Sequence, residues 1–242
     1  MNIPHVPLVS VIVPVWADRA AARTLLGQLS PDPRVEVIVV EAESVESPGE
    51  SIPLAPERAD VRVLQTARGR ARQMNAGAAL ARGHWLLFLH ADSTLPGDWL
   101  AAFETAIQPP AIGGWFRFAL DDRSWQARLF ERGVALRVRV ARLPYGDQGL
   151  FLTQSAFDAL GGYRDMPLME DVDLVRRLVA HGPVVEVPCA IVTSARRYRK
   201  EGWFRRSARN LVLLSLYFAG VSPTRLARWY GVRPPSQPDS RA

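Results

Sequence analysis

A single cysteine, Cys189, occurs in the 242 residues, so no internal disulfide can staple the fold. A lone thiol suits a reducing compartment, and Cys189, in the apolar segment VVEVPCAIV, reads as an ordinary buried side chain. Lysine is equally scarce: Lys200 is the sole one among 30 basic residues, so the net charge of +6 is carried by arginine. Long apolar runs are missing as well. LVLLSLYFAGV (211–221) is too short to span a bilayer, and MNIPHVPLVSVIVPVW lacks the basic n-region and small-residue cleavage site of a signal peptide. The expectation is a cytoplasmic protein, with contact at the inner face of the membrane left open. At 48% apolar and 22% charged, the chain can bury a sizeable core.

The arginines are unevenly spread. Residues 123–142 (RSWQARLFERGVALRVRVAR) and 196–209 (RRYRKEGWFRRSAR) are strongly basic. Such patches suit nucleotide phosphates, an anionic lipid surface or nucleic acid. The plainer reading is a solvated helix face, and the first patch is read that way. No recognised nucleic-acid-binding motif accompanies the charge, so nucleic acid is not expected as a partner.

The hydrophobic pattern alternates between strands and helices. VSVIVPVW (9–16) is β-branched and reads as a buried strand. Residues 18–30 read as a helix with Asp18 as N-cap and apolar positions at Ala22, Leu25, Leu26 and Leu29. VEVIVVEAES (35–44) and VRVLQT (61–66) read as further strands. The alanine-rich stretch 68–83 predicts a helix stopped by Gly83, and HWLLFLHADS (84–93) a fourth strand. This order implies parallel crossovers and an α/β sheet, whose ligands bind outside the carboxyl ends of the strands. Glu41, Glu43, Asp92 and the arginines opening the 68–83 helix would converge there. In the second half, residues 113–120 and 147–153 read as strands, 154–163 as a short helix and 170–182 as a clearer one. The tail GVRPPSQPDSRA is polar and proline-rich, as disordered segments are.

Taken singly, the acids have plain explanations. Asp92 could cap a helix beginning near Trp99, Glu41 could be a solvated loop residue, and Glu170 and Asp171 could be first-turn acids favoured by the helix dipole. Their order carries more. The run GRARQMNAGAALARGHWLLFLHADS, then GDQGLF, SAFDALGGY and MEDVDLVRRL, resembles family 2 glycosyltransferases of the GT-A fold over about residues 8–205. Asn75, Gly77, Ala81 and Gly83 match the helix of that family, and Asp92 the last acid of its D-x-D-like signature. Gly161-Gly162-Tyr163 and Glu170-Asp171-Val172-Asp173-Leu174 match its later motifs. The H-A-D signature, R-G-R-x-x-Q-M-N-x-G-A and S-x-R-R-Y also resemble the small bacterial transferases encoded beside radical-SAM and selenium-related genes.

The resemblance implies a mostly parallel, Rossmann-like mixed sheet flanked by helices. It implies a transferase domain over 1–205, an apolar and basic helical appendage over 206–230, and the tail from 231. It further implies a nucleoside diphosphate sugar donor, a UDP-sugar first, with Glu41 at the base or ribose and Arg68 or Arg70 at the base or phosphates. Pro14, Asn75, Gln148 and Arg197 complete the expected donor-binding set, Arg197 by covering the diphosphate from a closing loop. Asp92 would ligate Mg²⁺ or Mn²⁺ on the diphosphate. His90 stands where the signature often has an acid; it could join as a metal ligand, better for Mn²⁺ than Mg²⁺, or be an ordinary hydrogen-bonding residue. Asp171 would be the general base of an inverting reaction, with Glu170 orienting it. Asp147 and Gln148 could contact donor or acceptor, or serve the turn that Gly146 and Asp147 favour.

No Q-x-x-R-W follows residue 196, which argues against a processive synthase. The apolar segment after it could pack on the domain, form a homodimer face, or lie on a membrane near a lipid-linked acceptor. Two rival functions fit less well. A nucleotidyltransferase acting on a sugar phosphate would need a glycine-rich loop after the first strand, where VPVWADRAAAR has none. A non-catalytic nucleotide-sugar-binding protein would not need the full set of acids.

Overall fold

A computed structural model describes residues 6–16, 18–42, 58 and 60–231. Glu43 and the tail from residue 232 lie outside the described residues. The first half runs β1 (Val9–Val15), α1 (Arg19–Gln28), β2 (Val35–Ala42), β3 (Val61–Thr66), α2 (Arg70–Leu80), β4 (Trp85–Phe88), β5 (Ser93–Thr94) and α3 (Trp99–Ala106). The middle comprises β6 (Gly113–Leu120), α4 (Trp125–Ala141), a 3-10 turn over Gly146–Gln148, β7 (Leu150–Thr153) and α5 (Gln154–Ala159). The chain continues through α6 (Glu170–His181), β8 (Val184–Thr193), α7 (Arg196–Glu201), α8 (Trp203–Phe218) and α9 (Pro223–Tyr230).

The strands form one eight-stranded sheet in the order β3-β2-β1-β4-β7-β6-β8-β5. β3, β2, β1 and β4 are mutually parallel, β7 is antiparallel to both neighbours, and β8 runs parallel to β6. The strand alternation of β1 divides the core between the two faces of the sheet. Val9, Val11, Val13 and Val15 join Leu25 and Leu26 of α1 and Phe103 of α3 on one side. Ile12 points the other way, with Met74 and Ala78 of α2, Phe157 of α5, Leu174 and Leu178 of α6 and Leu214 of α8. A layer of helices on each face is what hides near-continuous apolar strands from water.

The structure departs from the sequence expectation at several points. α2 ends at Leu80, and Gly83 does not cap it; a Cβ at 83 would lie 2.7 Å from the Ser10 amide nitrogen, so this glycine permits close approach to β1. β4 stops at Phe88, because its ladders to β1 and β7 both end there. Cys189 sits on β8 as a free, half-buried thiol at the edge of the first core layer.

The amino edge of the sheet is locked by one acid. Glu36, buried on β2, accepts hydrogen bonds from Ser10 Oγ (2.6 Å), the Arg82 amide (2.5 Å) and Arg82 Nε (3.0 Å). Ser10 Oγ in turn accepts the Gly83 amide at 2.8 Å. Burial opposes the charge on Glu36, but these donors outweigh it and hold the carboxyl below its ordinary pKa. The Glu36→Ala variant should lose about 2 kcal/mol at pH 7, because it orphans a buried hydroxyl and an amide. A depressed folded-state pKa gives stability that is present above the unfolded value and lost as pH falls through the folded one. The gap between wild type and variant in urea melts should therefore narrow toward acid.

Candidate functional site

The parallel ladder brings the carboxyl ends of β1, β2 and β4 to one edge, and the 3-10 turn before β7 arrives at the same place. His90-Ala91-Asp92 is not strand but a turn, closed by the Ser93 amide donating to the His90 carbonyl at 3.1 Å. Ser93 and Thr94 then pair with Thr193 and Val192 of β8. Asp92 thus stands on a turn tip beside β8. It does not cap α3, where Asp98 holds the N-cap position.

Opposite this turn, α6 begins after Met169, whose φ of 68° is left-handed. A side-chain-bearing residue is strained there, a state that needs the surrounding structure to hold it. Glu170 and Asp171 follow in the first turn and both meet Arg70, the first residue of α2. Arg70 Nε lies 2.5 Å from Glu170 Oε1, and Arg70 Nη2 lies 3.3 Å from Asp171 Oδ2. The Gly146 amide donates to Asp171 Oδ2 at 2.8 Å, and the Val172 amide to Oδ1 at 2.8 Å. A Cβ at position 146 would fall 3.1 Å from His90 Nε2 and 3.2 Å from both Arg70 Nη2 and Asp171 Oδ2. Glycine here is the space in which His90, Arg70 and Asp171 converge.

Other expected site residues are distributed differently. Pro14 and Glu41 reach the carboxyl ends of β1 and β2, but the Glu41 carboxylate pairs with Arg19 Nε at 3.2 Å. Arg68 lies over the Trp16 ring, 3.7 Å from its centroid. Arg70 is engaged by the carboxylates of Glu170 and Asp171. Asn75 is hydrogen-bonded within the fold. Its amide brackets Tyr163, donating to the carbonyl at 2.8 Å and accepting the amide at 2.9 Å. Gln148 is buried in its own turn, donating to the Phe116 carbonyl at 3.2 Å and accepting the Tyr145 amide at 3.4 Å. Arg197, exposed on α7, is close enough to His90 to act on its charge.

Sequence reasoning overlooked Trp16 and Arg137. Trp16 is exposed just past β1, and its only signal was an aromatic residue closing an otherwise aliphatic strand. Arg137 of α4 lies over the Tyr145 ring at 3.5 Å and donates to the Leu143 carbonyl at 2.9 Å, bracing the turn that carries Gly146. Nothing in the sequence distinguished it from the other arginines of its helix.

The sequence profile described as Glycosyl transferase family 2 matches residues 10–164. The chain belongs to that family. Among solved structures it is similar to a mannosyltransferase, PcManGT from Pyrobaculum calidifontis, in complex with GDP-Man and Mn²⁺. The TM-score is 0.65 at 21% identity, over 90% of this chain and 66% of that one. TarS 1-349 of S. aureus, in complex with UDP-GlcNAc, gives 0.62 at 15% identity, over 77% of this chain and 58% of that one. This chain therefore spans less than two thirds of either neighbour. At these identities the likeness fixes the fold, the GT-A arrangement of a mostly parallel sheet flanked by helices. No curated protein sequence matches significantly.

The electrostatics of this glycosyltransferase edge are unusual. Burial opposes the charge of Arg70, but Glu170 and then Asp171 outweigh it and hold the guanidinium more firmly protonated. Burial pushes the Glu170 carboxyl up even though Arg70 draws it down. Burial, then Arg70 and Arg197, depress His90 well below the ordinary imidazole value, so the ring is neutral. Asp147 is pushed up to about 6, first by burial and then by Asp171 and Asp92 against the pull of Arg137 and Arg70. Its Oδ1 is buried without a hydrogen-bond partner. Among the described residues, no group of three or more His, Cys, Asp or Glu gathers to hold a metal unaided.

Asp147 yields a signed pH prediction. Because its folded pKa of about 6 exceeds the ordinary 3.8, the folded chain binds the extra proton between those values, and stability falls as pH rises across that window. Asp147→Asn should therefore be more stable than wild type by about 2 kcal/mol at pH 8, after discounting for partial solvent access. The advantage should vanish below the unfolded-state value. Thermal melts of both proteins across pH measure it.

Proposed function

We propose that the protein transfers a sugar from a nucleoside diphosphate sugar to an acceptor hydroxyl, with inversion and without processivity. The observation that carries this reading is Asp171, held by Gly146 and Arg70 at the carboxyl edge of the sheet, with His90 converging on the same glycine. A carboxylate so fixed can take the acceptor proton as the hydroxyl oxygen attacks the anomeric carbon and the bond to the diphosphate breaks. Glu170, through the shared Arg70, orients it. The neighbours' ligands, GDP-Man in one and UDP-GlcNAc in the other, support a nucleotide-sugar donor of hexosyl type, with a UDP-sugar as the first choice. Trp16 and Arg68 offer a flat, cationic surface for the base beside Pro14 and Glu41.

A divalent ion fits the donor set of this edge. His90 is neutral, as a ligand must be, and Asp92 stands on the adjacent turn tip. His90 and Asp92 would hold such an ion together with the donor itself, and imidazole favours Mn²⁺ over Mg²⁺. Such an ion, when bound, supplies neutralising charge to the departing diphosphate. Arg197, on the exposed rim of α7, would cover the phosphates. The H-A-D signature supports the small bacterial subgroup encoded beside radical-SAM and selenium-related genes, and the lone free thiol supports a cytoplasmic setting.

A thermal-shift panel of UDP-, GDP-, CDP- and dTDP-sugars, with and without Mn²⁺, tests the donor. A true donor at a hundredfold excess over its dissociation constant should add about 2.7 kcal/mol of apparent stability. No shift with any of them would sink the reading. Asp171→Asn should keep that shift yet lose transfer by about a hundredfold or more, read as released nucleoside diphosphate. Full turnover in the variant would remove Asp171 from its role.

A further inference from the structure

α4 has two apolar faces. The inner one, Ala127, Val134 and Val138, is buried against the sheet side of the molecule. The outer one carries Trp125, Leu129, Leu136 and Val140, each between 50% and 75% exposed. At 100° per residue these four fall within about 60° of one another, a single stripe along the helix. Arg132 lies on the same stripe, and Arg128 and Arg139 border it on one side. The basic patch is therefore not the plain solvated face expected from its charge.

The stripe continues onto α8. The rings of Trp125 and Phe204 stand 6.1 Å apart, and Phe204 and Leu211, 65% and 63% exposed, share one side of α8 with Val212. Few charges interrupt this surface and they have one sign. Glu131, the one acid on α4, is already engaged by Arg128 and the Leu120 amide. Among the described residues, the charges of this surface without a partner are arginines: Arg132 and Arg139 on α4, and Arg205 on α8.

The sign of the charge chooses the occupant. A second copy of the chain in a two-fold contact would set this surface against itself, arginine against arginine. An anionic bilayer answers both halves of the pattern, with lipid phosphates for the guanidinium row and the acyl boundary for Trp, Leu and Phe. Among the described residues no helix is long and apolar enough to cross a membrane, so contact of this kind lies along the surface. We propose that the outer faces of α4 and α8 dock onto an anionic lipid surface. α4 is also the helix whose Arg137 braces the turn at Gly146, and a cleft of about 320 Å³ opens between its Arg128–Arg132 side and Gln148. Docking would set that cleft next to the lipid.

Flotation of the full chain with vesicles of phosphatidylcholine, with and without phosphatidylglycerol, tests this without any nucleotide, so the outcome is separate from the donor reading. Recovery should be about tenfold higher on the anionic vesicles and fall with added salt. Leu136→Glu and Arg139→Glu, both at exposed positions outside the candidate site, should each abolish most of that binding while melting like wild type. Arg139→Lys should retain it. Equal recovery on both vesicles, or none, overturns the proposal. So does anionic binding untouched by Leu136→Glu, which would make it charge attraction alone. A stable dimer in light scattering that Leu136→Glu splits would assign the face to a second copy instead.

Discussion

Arg70 stands between Glu170 and Asp171, and through it two helices 101 residues apart in sequence share one set of charges. The acids sit side by side in a partly buried first turn, where the charge of Asp171 adds to the cost of ionising Glu170. A guanidinium can contact both, being planar and permanently charged. Its own charge is tolerated for the same reason. Breaking such a cluster by removing one member leaves a buried charge uncompensated, so the three residues act as a unit. The place where they meet depends on α2, which other polar groups fix. Gln73 donates to the carbonyls of Val15 and Val40 at the ends of β1 and β2, and Asn75 clasps Tyr163. One helix thereby refers α6 and the glycine turn to the strand ends.

The two edges of the sheet treat buried acids in opposite ways. At the amino edge Glu36 has its oxygens supplied with donors and its carboxyl is easier to ionise than usual. At the carboxyl edge Asp147 has an unpartnered oxygen, Glu170 is harder to ionise, His90 is kept neutral, and Met169 is in a left-handed conformation. A chain selected for stability alone would satisfy both edges alike. Groups left destabilised together at one edge mark the place where binding or chemistry is served at the expense of the fold.

Much of this was legible in the sequence, for definable reasons. The apolar periodicities of β1, β2, α1 and α6 gave their types, and order alone gave the parallel half of the sheet. Asp171 was legible through the motif around it. What the sequence left open was the choice of partner within the fold. Arg70, Asn75 and Gln148 are polar residues at motif positions, and nothing local says whether a guanidinium or an amide will meet a ligand, a carboxylate or a passing carbonyl. The end of β4 failed for a related cause. The run WLLFL stays apolar past Phe88, but a strand ends where its neighbours leave it, and those neighbours are distant in sequence. α4 misled in a third way: a helix apolar on two sides has a period that cannot say which side is inside.

That ambiguity also bears on how the site and the surface relate. Arg137 lies between them, reaching Tyr145 and the Leu143 carbonyl from a helix whose outer stripe faces solvent. The turn it braces delivers the Gly146 amide to Asp171. Arg137, Tyr145 and Gly146 thus form an unbroken set of contacts from α4 to the carboxylate of Asp171. No long path separates surface and site, because one helix carries both the outer stripe and Arg137. A surface docked on the outer face of α4 would stand one side chain and one short turn away from Asp171 of α6.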